Sequence, residues 1–562
     1  MKVSIQRNLK PFLSHLKLSI FCVFTHIFIC NFGGIYQYFF VNTDNFIPKL
    51  FDGLLSAMII ALAINFLFSI NILATKILIF IANFIALIYS YFVVHLGVII
   101  NEQIVISALF YGEGNDVSSA FDSWIYLYVL PLFFLTYFII NFVQNKLSLN
   151  SKFSINTEFI IKYLQNIITK ITFSLSSILI FIILVNTNLY VVTYKLKTFA
   201  ESLMPSYLFA QYLEIKSMYK SSKNVNLQGY EQYKFKNYDK AKEPLLVVIL
   251  VGESLRSNRL AINGYERQTT PNLSKIPNLF SFKDVLSCAT STSASLLCML
   301  TDENQDGWMA KFSQSQHQKK YSVAKIFKDL GYEITVLSSA NKDSGIYIYK
   351  DFHAPNKMVM ASELRKKYLS KYNDFGDIIL LEELDNNITK DSLYVIGTRG
   401  SHREYYSNYP REFAKFTPDL GHSHEQIQNS YDNTVLYFDN FLNKMIEKLQ
   451  NNNAVIFYAS DHGESLGENG IFLHGSPFET APDEQRKVPM IVWMSDKFIK
   501  NNPNEFAKIK KNYELNREGK LLVKHDHFFH SILGCTKIKS QNSASNPNLN
   551  LCDTISTNQS NK

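Results

Sequence analysis

The chain has 562 residues, a formal charge of +8, 47% hydrophobic residues and six cysteines, long enough for several domains. A mean hydropathy near zero hides two halves: the first ~200 residues are mostly apolar and aromatic, and the remainder has the charge density of a soluble protein. The lysines are scattered and several flank apolar stretches, so the positive balance argues against a nucleic-acid partner.

Five stretches reach the ~20 residues that span a bilayer: Phe12–Phe32, Leu50–Ile70, Ile77–Ile99, Ile125–Val143 and Ile171–Val192. The first is too long and too closely followed by others for a signal peptide. Basic residues set the orientation. Lys2, Arg7, Lys10 and Lys17 precede span one, Lys76 is read as the loop after span two, and Lys146, Lys152, Lys162 and Lys170 follow span four. The opposite side carries only Lys49 and, between Asn101 and Trp124, the acids Glu102, Glu113, Asp116 and Asp122. The N-terminus is therefore expected in the cytoplasm and everything after about Tyr194 outside. Spans with almost no charges disfavour a transporter.

Residues 195–243 form a polar connector, read either as a plain linker or as containing a surface-lying helix over Phe199–Lys220. From 244 the pattern changes. Short runs rich in Val and Ile at Leu245–Val251, Glu333–Leu337, Leu393–Ile396, Ala454–Tyr458 and Val488–Trp493 predict buried strands of a mostly parallel sheet. Helical stretches at Ser322–Leu330, Asp374–Asn387 and Ser430–Gln450 alternate with them, giving a doubly wound α/β domain over 244–540. The Asn- and Ser-rich end, 541–562, reads as a disordered tail.

Two predicted strands end in metal-binding residue types. One delivers Glu253, which alone reads equally as a capping or surface carboxylate; ligands of open α/β sheets gather at such strand ends. The other ends in Asp461-His462, an oxygen and nitrogen pair suited to zinc or manganese, followed by the turn-forming Gly463. A third element, Ser-Cys-Ala-Thr-Ser-Thr-Ser-Ala-Ser-Leu-Leu-Cys at 287–298, places small hydroxyls before an apolar run, the pattern of a helix N-terminus near Thr292. A phosphate on that hydroxyl would be stabilised by helix N–H groups, although composition alone favours a capped Ser/Thr loop. Cys22 and Cys30 lie in an apolar span. Export of the polar half would permit a Cys288–Cys298 disulfide, and pairing of Cys535 and Cys552 stays open.

With these motifs in place the chain resembles the phosphoethanolamine transferases of Gram-negative inner membranes, including the colistin-resistance enzymes, within the alkaline phosphatase–sulfatase superfamily. The matching segments are 251–256, 263–267, Thr270-Pro271, 287–298, Gly400-Ser401-His402, Tyr409-Pro410, 416–418, 431–434, 460–475, Val488-Pro489 and 525–531. The resemblance implies a five-helix transmembrane domain over 1–194, followed by a periplasmic sulfatase-like domain. It also implies a zinc site at Glu253, Thr292, Asp461 and His462, with Thr292 as nucleophile. It implies phosphate-contacting His402 and His474, one tightly bound zinc with a second admitted during turnover, and a monomer. The implied donor is phosphatidylethanolamine, and the acceptor is lipid A or another envelope glycan. The phosphoglycerol transferases of the lipoteichoic-acid-synthase type are the nearest rival, but the surroundings of their nucleophile differ. A sulfatase proper would need a Cys-x-Pro-x-Arg motif that this sequence lacks. An inactive scaffold would not be expected to keep Glu253, Thr292, Asp461 and His462. The sequence departs from the family at Ser338–Ile348, at Asp419–Gln428, where His422 and His424 read as solvated, and at Ser107–Asn115. These departures leave the headgroup contacts and the acceptor open.

Overall fold

The computed structural model describes residues 2–36, 71–96, 124–147, 235–237, 243–302, 322–340, 355–368, 376–421, 423–476, 481–540 and 546–555, with scattered positions between these segments. The chain divides into an N-terminal and a C-terminal unit. The predicted fifth span, the connector helix, the 107–115 loop and His422 lie outside the described residues.

In the N-terminal unit, helix α1 (Lys2–Phe24) runs into a π-helical turn at Thr25–Cys30, and α2 (Ile72–Leu96) and α3 (Trp124–Lys146) follow. Among the described residues three stretches are helical and apolar enough to cross a membrane: Leu13–Cys30, Ile72–Tyr91 and Leu127–Lys146. Of the predicted second span only scattered helical positions are described, so the count of five is not reached here. Leu18, Cys22, Phe68, Ile79 and Ile140 form a common core. Two contacts between polar groups tie the helices of this unit together: His26 Nδ1 lies 2.8 Å from Asn83 Oδ1, and Ser90 Oγ donates to the Cys30 carbonyl at 2.8 Å. Lys76 corrects the sequence reading. It sits within α2 rather than in a loop, and its ammonium is held by the side-chain carbonyls of Asn141 and Gln144.

The C-terminal unit is built on a seven-stranded mixed sheet. Its strands are β1 (Leu245–Gly252), β2 (Leu279–Phe282), β3 (Glu333–Ser338), β4 (Lys357–Val359), β5 (Ser392–Gly397), β6 (Asn453–Ser460) and β7 (Met490–Met494), in the order β2-β7-β6-β1-β5-β3-β4. Strands β6, β1, β5, β3 and β4 run parallel, and β7 is antiparallel to both β6 and β2. The five predicted strands are present to within two residues at each end, and the two missed ones, β2 and β4, are short edge strands.

Alternation along β1 explains the layering. Val247, Ile249 and Val251 share a core with Phe327 of α5 (Val323–Asp329), Ile509 of α7 (Pro503–Arg517) and Phe528 of α8 (Asp526–Cys535). Leu246, Val248 and Leu250 pack with Val435, Leu442 and Met445 of α6 (His424–Leu449) on the other face. Both faces are covered, so β1 is apolar throughout rather than alternating with polar residues.

Helix α6 begins six residues before the predicted start, because Ser423 and Gln426 form a reciprocal capping box that extends it upstream. The predicted helix over 374–387 is instead a 3₁₀ segment, Asp377–Glu383. The expected disordered tail is ordered in part. A disulfide joins Cys535 of α8 to Cys552, Leu551 is fully buried beside it, and a 3₁₀ turn covers Pro547–Leu549.

Candidate active site

Strand register builds the site. Gly252 of β1 pairs with Ser460 of β6, so the two strands end level and Glu253 and Asp461 emerge side by side. Gly252 is required for this: a Cβ there would stand 2.2 Å from the Tyr458 hydroxyl. Beyond β5, Ser401 N–H donates to the Glu253 carbonyl at 2.9 Å and carries the His402 loop to the same edge. Ser254, at φ 58°, occupies the left-handed region that non-glycine residues avoid. It is held there by its N–H donating to Asp461 Oδ1 at 3.1 Å and its hydroxyl donating to Glu253 Oε1 at 2.8 Å.

Thr292 opens α4 (Thr292–Leu300), where unpaired N–H groups give a positive helix end. The preceding loop is fixed on three sides. A disulfide joins Cys288 to Cys298, Cys288 N–H donates to His525 Nδ1 at 3.1 Å, and Thr290 accepts from Gly475 N–H at 2.8 Å. His525 also donates from Nε2 to the Ser460 carbonyl at 2.8 Å, so one buried imidazole joins the Thr292 loop to the end of β6. Burial holds His525 down at about 4, in its neutral form.

The four predicted ligands converge. Thr292 Oγ1 lies 3.1 Å from Glu253 Oε2 and 3.2 Å from His462 Nε2, and that nitrogen is 3.3 Å from Glu253 Oε1 and 3.4 Å from Asp461 Oδ2. A tetrahedron with ligand bonds of ~2.0 Å has edges of about 3.3 Å, and these four spacings, with Glu253 reaching Thr292 and His462 through different oxygens, are of that size. Two further features support the fit. Asp461 Oδ2 is buried without a hydrogen-bond partner, and His462 Nδ1 donates to the Gly463 carbonyl at 2.9 Å, which turns Nε2 toward the carboxylates as an acceptor. The electrostatics also favour positive charge at this point. Burial and the neighbouring Glu253 raise Asp461 to about 6. Burial opposes a charged His462, but Asp461 and Glu253 outweigh it and lift the imidazole to about 10. Burial would raise Glu253 too, yet its bond to His462 and the nearby histidines hold it well below the carboxylate range.

The two predicted phosphate-contacting histidines stand beside this cluster. The His474 ring centroid is 4.0 Å from that of His462 and 6.3 Å from that of His402. Sequence reasoning missed what holds His474. Its Nδ1 donates to Glu464 Oε2 at 2.6 Å, and this fully buried carboxylate also accepts from Tyr405 at 2.6 Å. The signal was present, since Glu464 closes the Asp-His-Gly-Glu run at alternate positions from His462. His462, Glu464 and His474 offer a second set of donor atoms within 4.8 Å of one another. His424 lies elsewhere, exposed on the first turn of α6 within 3.3 Å of the Gln428 amide.

Comparison with known proteins bears on what such a site does. Kdo(2)-lipid A phosphoethanolamine 7''-transferase of Escherichia coli strain K12 is 34% identical over 317 residues, covering 54% of this chain and 54% of that protein. Phosphatidylethanolamine transferase Mcr-2 of Escherichia coli is 34% identical over 280 residues, covering 46% of this chain and 50% of that protein. The chain thus spans about half the length of the curated relatives it matches. The integral membrane protein lipooligosaccharide phosphoethanolamine transferase A of Neisseria meningitidis has a similar fold, at a TM-score of 0.71 and 23% identity, over 95% of this chain and 98% of that one. The sulfatase family model matches residues 246–538, from β1 past α8. That match takes in more than half of the 562 residues and every residue of the predicted metal-ligand set, and the chain therefore belongs to the sulfatase family.

Proposed function

We propose that this chain transfers phosphoethanolamine from phosphatidylethanolamine to lipid A or another envelope glycan, through a phosphothreonine at Thr292. The observation that carries the proposal is the Thr292 hydroxyl at the positive end of α4, within 3.2 Å of both Glu253 and His462. The names of the relatives support the same reaction and substrate class.

Glu253, Thr292, Asp461 and His462 would hold one zinc, and a second set at His462, Glu464 and His474 would admit another during turnover. Zinc supplies Lewis acidity, which lowers the proton affinity of the threonine hydroxyl and offsets phosphate charge. The protein's own groups do the rest. Thr292 loses its hydroxyl proton as Oγ1 bonds to the donor phosphorus, the bond from phosphorus to the diacylglycerol oxygen breaks, and that oxygen takes up one proton, so protons balance. His402 and His474 offer imidazole nitrogens to the phosphate oxygens and to this proton. N–H groups at the start of α4 stabilise the phosphorylated threonine. In the second half an acceptor oxygen bonds to the same phosphorus and Thr292 leaves. Little covalent help beyond alignment and charge neutralisation is needed for phosphoryl transfer.

The chain acts as a monomer, anchored in the inner membrane with its N-terminus cytoplasmic and the C-terminal unit periplasmic. Two disulfides in that unit, Cys288–Cys298 and Cys535–Cys552, support an oxidising compartment. The test is mass spectrometry of envelope lipids and glycans with and without the protein, alongside release of diacylglycerol from phosphatidylethanolamine by the purified chain. A gain of one phosphoethanolamine on an envelope molecule is expected. Unchanged envelopes and no diacylglycerol would overturn the proposal.

A further inference from the structure

The N-terminal unit contains a groove of about 730 Å³ between α1 and α3. Its lining follows one rule on both helices. On α1, Lys17 lies one turn from Phe21, and on α3, Phe138, Phe142 and Lys146 follow one another at single-turn spacing. Each aromatic stripe thus ends in a lysine, and both lysines border the same groove. The aromatic side chains point outward rather than into the helix core: Phe21, Phe138 and Phe142 are 45%, 66% and 67% exposed, while Leu18, Cys22 and Ile140 close the core behind them.

Among the described residues of the three helices no carboxylate balances these charges: α1, α2 and α3 contain no Asp or Glu. Lys76 of α2 has amide partners, but Lys17 and Lys146 have no ion-pair partner among the described residues. Two ammonium groups at one end of an apolar channel call for an anion attached to a hydrocarbon chain. From Phe138 to Lys146 is eight residues, a rise of ~12 Å, enough to lay a substantial length of acyl chain along the aromatic stripe.

We propose that this groove binds one acidic phospholipid, with its phosphate between Lys17 and Lys146 and an acyl chain along Phe21, Phe138 and Phe142. A lipid with net negative charge is preferred over a zwitterionic one, because the ammonium of a phosphatidylethanolamine headgroup would be brought toward two lysines. The site depends on α1 and α3 spanning the bilayer and not on the transferase reading, so it stands or falls separately from donor cleavage.

The test uses the full chain in nanodiscs containing equal amounts of phosphatidylglycerol and phosphatidylethanolamine, with bound lipid counted by native mass spectrometry. One retained phosphatidylglycerol per chain is expected, at a preference on the order of 30-fold for two interfacial lysines. Lys17→Gln with Lys146→Gln should bring the preference near parity, each single change should reduce it about fivefold, and the two arginine replacements should keep it. Phe138→Ala with Phe142→Ala should weaken retention of both lipids. Bound lipid that follows the bulk composition in the parent chain, or an unchanged preference in the double glutamine variant, would overturn the proposal. The single variants preserve the test if the double variant does not fold.

Discussion

Gly463→Ala perturbs the site by one methyl group. A Cβ at this position would lie 2.0 Å from the Glu484 carbonyl oxygen, 3.0 Å from its carbon and 3.3 Å from Gln485 Cα. These are backbone atoms and cannot swing aside. Restoring even a 3.0 Å contact requires the two segments to part by about 1 Å, from 2.0 Å to 3.0 Å. The glycine is tied on both sides, its N–H donating to Gln485 O at 2.9 Å and its carbonyl accepting from His462 Nδ1 at 2.9 Å. Separation therefore draws on the bond that aims His462 Nε2 at the other ligands. We expect destabilisation of about 1–3 kcal/mol from overpacking. Zinc affinity should fall ~10–100-fold through loss of the supporting bond, and diacylglycerol release should fall about 100-fold for a ligand misplaced by ~1 Å. The assays are metal content at graded chelator, diacylglycerol release and thermal melting of the full chain. A Gly463→Ala protein with parental zinc affinity and turnover would refute the claim that this contact sets the position of His462.

Asp432 is fully buried and accepts from Arg267 at 2.9 Å, Tyr265 at 2.8 Å and Arg259 at 3.3 Å, so Asp432→Ala should cost on the order of 3 kcal/mol, read as a lower melting temperature. Replacing Cys288 and Cys298 together by Ser should cost about 3 kcal/mol for a loop closed over ten residues and slow turnover by loosening the approach to Thr292; parental rates in that variant would contradict the loop's role. Three buried histidines predict the acid response. Burial lowers His525 and His530 to about 4 and His527 to about 3. Their neutral forms are the folded forms, so the unfolded chain gains protons first as pH drops below ~6.5. The contribution of these three to stability should be level above that pH and fall by up to ~1.4 kcal/mol per pH unit per histidine between 6.5 and 4, whereas a melting temperature unchanged from pH 7 to pH 5 would contradict it.

The central strands were legible because burial on both faces makes them continuous apolar runs: Leu245–Gly252 and Asn453–Ser460 needed no partner to be recognised. The edge strands Leu279–Phe282 and Lys357–Val359 were not, since four and three residues carry too little periodicity. The positions of the metal-binding types were legible from where strands end, but their convergence was expected only through the family resemblance and not from spacing. That depends on the Gly252–Ser460 register and on a helix N-terminus arriving from far along the chain. Ser254 and Glu464 escaped notice for a related reason. Their roles lie in bonds to Asp461 and His474, contacts that sequence spacing does not encode. Lys76 was misplaced because a lysine beside an apolar run reads as a loop until Asn141 and Gln144, 65 and 68 residues away, are seen to hold it.

The account's central claim concerns one oxygen. Purified full-length protein, incubated with zinc and phosphatidylethanolamine without acceptor and quenched in acid, should yield a tryptic peptide carrying one phosphoethanolamine on Thr292, absent in Thr292→Ala. A modified peptide never found while diacylglycerol is released, or an adduct mapped to a different side chain, would contradict it.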